Sequence, residues 1–134
     1  MNSNRDPGVC VRTSHLGQDV GYGLFARRNF DTNDVVAVYR GTLFYGPVPE
    51  HVDTTFVYEF ESPQYGTVYV DPQGHDCPAQ FANDAEGPVR VDGLENNTVF
   101  DDAHPRSVVL RATRPIRNGE EIFVSYGSDY WGVV

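Results

Sequence analysis

The apolar residues of this chain come in short β-branched and aromatic runs, each cut off by glycine, proline or a polar turn, and none continues with a helical period. Val35-Val36-Ala37-Val38-Tyr39, ended by Arg40-Gly41, is the clearest strand among them. Val9 to Thr13 alternates apolar and polar residues. Phe56-Val57-Tyr58-Glu59-Phe60 alternates cleanly, and the loop Glu61 to Gly66 leads it into Thr67-Val68-Tyr69-Val70 as a hairpin. Leu43-Phe44-Tyr45, Thr98-Val99-Phe100 and Ser107 to Ala112 read as further strands, with Asp101 to Pro105 between the last two. Ile122 to Ser125 closes the series, and Gly127 breaks it. Only single helical turns are expected, around Val48 to Val52 and Pro78 to Ala82; residues 86–95 are polar and read as a surface loop. Thirteen glycines and nine prolines in 134 residues supply the turns that so many short elements need. The expectation is a loose lead-in over residues 1–8 and one mainly β domain over residues 9–134.

The charge balance narrows the function. A formal net charge of −9 argues against direct nucleic-acid binding, which needs a basic face, and suits a cationic partner such as a basic peptide tail. All ten basic residues are arginine and the chain has no lysine, so a lysine-modifying enzyme of this composition would offer itself no substrate side chain. No apolar run approaches a membrane span, and Met1 to Pro7 carries no hydrophobic signal region. Cys10 and Cys77 are too few for a disulfide framework, which makes intracellular residence the expectation. Neither belongs to a C-x-x-C pair, and His75 with Cys77 makes a poor metal site, so no metal is expected.

Gly21-Tyr22-Gly23-Leu24-Phe25-Ala26 superficially matches a dinucleotide-binding fingerprint. Its context refuses that reading: only Arg27 to Asp34 separate it from the next strand, too little chain for a crossover helix. That ground counts heavily against a dinucleotide-dependent oxidoreductase. The glycines instead make a bend or let backbone approach a ligand.

Three pieces stand in order along the chain: Gly21 to Ala26, then Phe81-Ala82-Asn83-Asp84-Ala85, then Gly119-Glu120-Glu121-Ile122 leading to Ser125-Tyr126. Val68-Tyr69-Val70-Asp71 precedes the second, and Arg114-Pro115-Ile116 precedes the third. Together, from about Val9 to Trp131, they resemble the SET-domain protein lysine methyltransferases. The ending Ser125-Tyr126-Gly127-Ser128-Asp129-Tyr130-Trp131 looks especially like the small free-standing SET proteins of large DNA viruses. The resemblance implies a β-clip fold of short strands, with a knot-like threading of the C-terminal segment under the loop that holds Asn83. It implies that Gly21, Tyr22 and Gly23 line an S-adenosylmethionine pocket through backbone groups, with Asn83 and Asp84 flanking the cofactor. Tyr126 matches the catalytic tyrosine, which also meets the cofactor, and Trp131 stands where an aromatic ring packs over it. Asn97 is the candidate for the family's second asparagine.

The chain departs from the family pattern in places. Asp84 stands where the family usually has histidine and Ala85 where it has serine, and the loop Glu86 to Glu95 is longer than usual. The cysteine cluster of a zinc-bound cap is missing. Tyr58 is the candidate channel wall, with Phe56 taking that place in a different register, and Tyr130 is another. Glu120 and Glu121 brace the turn or meet a substrate tail rather than act as bases.

Val124 occupies the position two residues before the catalytic tyrosine. Relatives carry phenylalanine or tyrosine there, and a tyrosine hydroxyl restricts repeated methylation; valine implies a channel open to di- or trimethyllysine. Without a cap, a second copy of the chain is the expected cover for the channel, with Val133 and Val134 beside Tyr130 and Trp131 at a homodimer interface. The alternative is a loop of the same chain, Gly41 to Thr55 or Glu86 to Glu95. The function implied is methylation of a lysine on a basic peptide or histone tail, in the nucleus. The competing reading is a catalytically weak or inactive SET-like module that binds a basic protein partner.

Overall fold

A computed structural model describes residues 5–104 and 107–127. Nine strands and one 3-10 turn occur in these residues. They are β1 (Val9–Thr13), β2 (Tyr22–Ala26), β3 (Val35–Tyr39), β4 (Thr42–Phe44), β5 (Tyr58–Ser62) and β6 (Gly66–Asp71), then the 3-10 turn Pro78–Phe81, then β7 (Thr98–His104), β8 (Ser107–Ala112) and β9 (Glu121–Ile122). They form three small antiparallel sheets, ordered β1-β2-β9, β3-β8-β7 and β4-β6-β5.

Alternation decides which side chains enter the shared core. Val68 and Val70 of β6 and Val108, Leu110 and Ala112 of β8 enter the main core cluster at every second position. In β3 a register shift between Val35 and Ala37 turns the adjacent Val36 and Ala37 both inward. Leu24, Phe30, Ile116 and Ile122 join these in one apolar cluster, while Leu16, Ala85 and Phe123 form a smaller second one.

Several boundaries differ from the sequence reading. Phe56 and Val57 are not strand: the Asp53 carboxylate accepts the Thr55 amide at 2.9 Å, Val57 N–H donates to the Thr54 carbonyl, and ladder pairing starts only at Tyr58 opposite Val70. The bend expected at Gly21 is present, with φ +85°, but Tyr22 to Ala26 continue as the central strand of their sheet. Gly23 tolerates that crowding because it has no side chain; a Cβ there would meet the Glu121 Oε2 at 2.2 Å. β7 extends through the expected loop to His104, with a register irregularity after Asp101. Asp6, in the expected loose lead-in, is buried and takes a two-pronged contact from Arg40 at 2.6 and 3.2 Å.

The closing segment shapes the site. After β9 it leaves the ladder and passes between the two ends of the loop running from Asn83 to Asn97. Val124 N–H donates to the Asn83 carbonyl on one side. On the other, the Phe123 carbonyl accepts the amides of Asn97 and Thr98 and the Thr98 hydroxyl. Asn97, almost fully buried, completes the clasp: its Nδ2 donates to the Glu121 carbonyl at 3.0 Å and its Oδ1 accepts the Phe123 amide at 2.8 Å. A side-chain amide here does what a neighbouring strand does elsewhere, satisfying one buried donor and one buried acceptor. This is the threaded arrangement expected from the resemblance.

Candidate active site

Tyr126 emerges two residues beyond the last bridge of this threaded segment. Its amide donates to the Asp84 Oδ2 at 3.0 Å, and its hydroxyl donates to the Ala82 carbonyl at 2.5 Å. The tyrosine is thus held at both ends by residues flanking Asn83. Asn83 itself reaches the other way: its Nδ2 donates to the Tyr22 carbonyl at 2.8 Å and so ties the Gly-x-Gly segment to the middle motif. Gly21, Tyr22, Gly23, Asn83, Asp84 and Tyr126 therefore belong to one connected hydrogen-bonded assembly in the fold, although they come from three distant stretches.

Beside Tyr126 lies a cavity of about 350 Å3, walled by Tyr39, Phe56, Tyr58, Ala82 and Phe100 together with Tyr126 itself. The Tyr58 and Phe100 rings pack with centroids 4.4 Å apart, and the Tyr39 ring sits 5.9 Å from Phe100 and 6.0 Å from Tyr58. The Tyr39 hydroxyl donates to the Phe56 carbonyl, which pins the segment Thr55 to Val57 against the cavity. Both candidates from the alternating stretch, Tyr58 and Phe56, thus reach the wall. Sequence reasoning missed Tyr39 and Phe100. Their signal was an aromatic at the end or middle of an otherwise aliphatic strand, where a core role reads equally well.

Burial, then the neighbouring Asp102 carboxylate 3.4 Å away, push the Tyr58 phenol up to about 12. Tyr58 therefore stays neutral near neutral pH and adds no negative charge of its own to the cavity wall.

Val124 is fully buried in the main core, and the residues lining the cavity do not include it. Tyr130 and Trp131 lie outside the described residues. Glu121 is buried rather than exposed on a turn; it accepts the Ser14 hydroxyl at 2.6 Å and the His15 amide at 2.7 Å, bracing β9 against the end of β1. Glu120 does brace its own turn, accepting the Arg117 amide at 3.0 Å.

The Gly21 bend leaves room for a group approached through backbone. A Cβ at Gly21 would meet nothing within 4 Å, so open space adjoins that bend. Tyr22 is 57% exposed, with its ring edge-on to Phe81 at 6.2 Å. An adenosyl group seated there would meet Gly21, Tyr22, Gly23 and Asn83, while the Asp84 carboxylate is buried with both oxygens engaged by protein donors. Among the described residues no group of His, Cys, Asp and Glu is arranged to hold a metal ion, and no helix is long and apolar enough to cross a membrane.

Solved structures with the same fold include the methyltransferase domain of human PR domain-containing protein 2, at TM-score 0.65 and 19% identity, over 90% of this chain and 77% of that one. The SET domain of ATXR5, in complex with histone H3 dimethylated on R26, superposes at TM-score 0.66 and 19% identity over 90% of this chain and 57% of its own. Polycomb Repressive Complex 2 of Chaetomium thermophilum, bound to S-adenosylmethionine, gives TM-score 0.65 and 20% identity over 96% of this chain, but this chain spans only 16% of it. No curated protein matches in sequence. The family model for the SET domain matches residues 21–127, from the Gly-x-Gly bend to the glycine after Tyr126. That span holds the whole threaded assembly, and the chain belongs to the SET-domain family.

Proposed function

We propose that this protein is an S-adenosylmethionine-dependent protein lysine N-methyltransferase acting on a basic peptide, with a histone tail as the first candidate. The observation that carries the reading is the Tyr126 hydroxyl, anchored on the Ala82 carbonyl at the wall of an aromatic cavity, with the Gly-x-Gly bend tied to the adjoining Asn83. Histone H3 is chosen because a SET domain of the same fold, that of ATXR5, is solved with it. A chromatin substrate would place the protein in the nucleus. The net charge of −9 favours encounter with any such basic tail.

When bound, S-adenosylmethionine supplies an electrophilic methyl group on a sulfonium. The chain's part is to present a neutral amine in line with it. A free lysine amine has a pKa of about 10.4, and desolvation between aromatic walls favours its uncharged form. Tyr39, Tyr58 and Phe100 supply those walls. Because the Tyr126 hydroxyl donates its proton to Ala82, its oxygen is fixed and meets a methyl group as an acceptor of weak C–H···O contacts. Orientation, rather than acid–base chemistry, is then the main contribution of the site.

The test is incubation with isotopically labelled cofactor and a panel of histones, followed by mass spectrometry of the peptides, with calorimetry for cofactor binding. Label on a histone lysine is the expected result. Cofactor-independent binding of histones, with no label transferred, would overturn the enzyme in favour of a binding module. The same spectra read the degree of methylation. Val124 lies in the core outside the cavity lining and brings no hydroxyl there, so di- and trimethyllysine are expected with excess cofactor, and a product confined to monomethyllysine would reject that.

A homodimer belongs to the same proposal. Phe56, 45% exposed at the cavity, and Tyr22 leave aromatic surface for a second copy to cover. Light scattering at micromolar concentration should then give twice the chain mass. A fully active monomer would assign the cover to Thr55 to Val57, which already line the cavity.

A further inference from the structure

Asp84 stands where the resemblance puts a histidine, and its surroundings are those of a carboxylate with a task. The residue is only 7% exposed. Its Oδ1 accepts the Glu86 amide at 2.9 Å and the Asn96 Nδ2 at 3.0 Å, while its Oδ2 accepts the Tyr126 amide at 3.0 Å. Asn96 is held in turn: its Oδ1 accepts the Ala85 amide and its amide donates to Glu86 Oε2, both at 2.9 Å. Three donors from three segments converge on one carboxylate, whose two oxygens offer about four lone-pair sites. A neutral imidazole offers one acceptor and cannot serve all three donors. The long loop after Asp84 has a part in this, since it brings Asn96 back to the same point.

We propose that Asp84 is a positioning residue for Tyr126. Its carboxylate grips the tyrosine's amide from one side of Asn83 while the Ala82 carbonyl receives the hydroxyl from the other. Substitution of histidine by aspartate therefore exchanges one way of ordering the site for another and does not signal lost turnover. The grip acts on Tyr126 through the backbone, where a shift on the order of 1 Å at the hydroxyl is enough to spoil alignment of a transfer. The proposal rests on the methyltransferase reading for its kinetic consequence but not for its geometry.

The test is Asp84→Asn, which keeps the shape but presents an NH2 group to at least one of the three donors. Turnover (kcat) should fall by about tenfold or more, with KM for peptide and Kd for cofactor changed less than about twofold. In a Tyr126→Phe background the same substitution should cost markedly less, because the hydroxyl it positions is gone. Amide hydrogen exchange measured by NMR reads the grip directly. The Tyr126 amide should lose protection in Asp84→Asn, while the Val124 amide, bonded to the Asn83 carbonyl, keeps it. An unchanged kcat with Tyr126 still protected would overturn the proposal. So would a weakened cofactor Kd at constant kcat, which would make Asp84 a cofactor-binding residue instead. A wild-type protein that transfers no methyl group would defeat the functional reading alone, and the exchange measurement would still decide whether Asp84 holds Tyr126.

Discussion

Tyr126→Phe should lower kcat by about 10²-fold while leaving the fold and cofactor affinity close to those of the wild type. The hydroxyl is the only atom removed. It donates to the Ala82 carbonyl, and the ring remains to fill the cavity wall. The half-buried position beside solvent limits the stability cost to roughly that of one hydrogen bond, about 1 kcal/mol. What disappears is the oxygen proposed to orient a methyl group, together with the link that aligns the ring against Ala82. Single-turnover rates with saturating cofactor, next to a thermal melt of both proteins, make the comparison. A variant retaining most of its turnover would remove Tyr126 from the catalytic role and leave the cavity without a reactive centre.

Asn97→Ala should be the most damaging of the single substitutions for stability, at roughly 2–6 kcal/mol. Asn97 is 1% exposed and gives one donor and one acceptor to the backbone of the closing segment, at Glu121 and Phe123. Alanine would leave a buried amide and a buried carbonyl without partners, each costing about 1–3 kcal/mol. Against a total stability of about 5–15 kcal/mol for a domain of ordinary size, that is a large fraction. The loss should also reach the site, because Phe123 and Val124 are the last paired residues before Tyr126. Denaturant titration followed by tryptophan-independent circular dichroism gives the number. A loss below about 1 kcal/mol would mean that water or a shifted backbone replaces the asparagine, and that the clasp is not what holds the closing segment.

The local features of this protein were legible in its residues because they depend on near neighbours. Short β-branched runs between glycines and prolines dictate short strands, and β1 and β3 appear where Val9 to Thr13 and Val35 to Tyr39 predict them. The order of three motifs pointed to Gly21 to Gly23, Asn83 and Tyr126, since the spacing of residue types survives where periodicity says little. Local cues failed where a distant group outcompeted a neighbour. Phe56 alternates like a strand residue, yet its carbonyl is taken by the Tyr39 hydroxyl and the Asp53 turn ends the strand early. Glu121 reads as an exposed turn residue, yet Ser14 and His15, more than a hundred positions away, bury it.

The site itself belongs to tertiary structure. Asp84 and Ala82 meet Tyr126 across 42 and 44 residues, and Asn97 meets Phe123 across 26. Tyr39, Tyr58 and Phe100 become one cavity wall only when three strands from two sheets pack together. Composition and pattern determined that the chain would form short strands, carry a tyrosine at the end of the last one and bear a net charge of −9. Which groups hold that tyrosine was decided by the threading of residues 121–126 between Asn83 and Asn97, because hydrogen bonds between segments far apart in the chain leave no periodic trace in it.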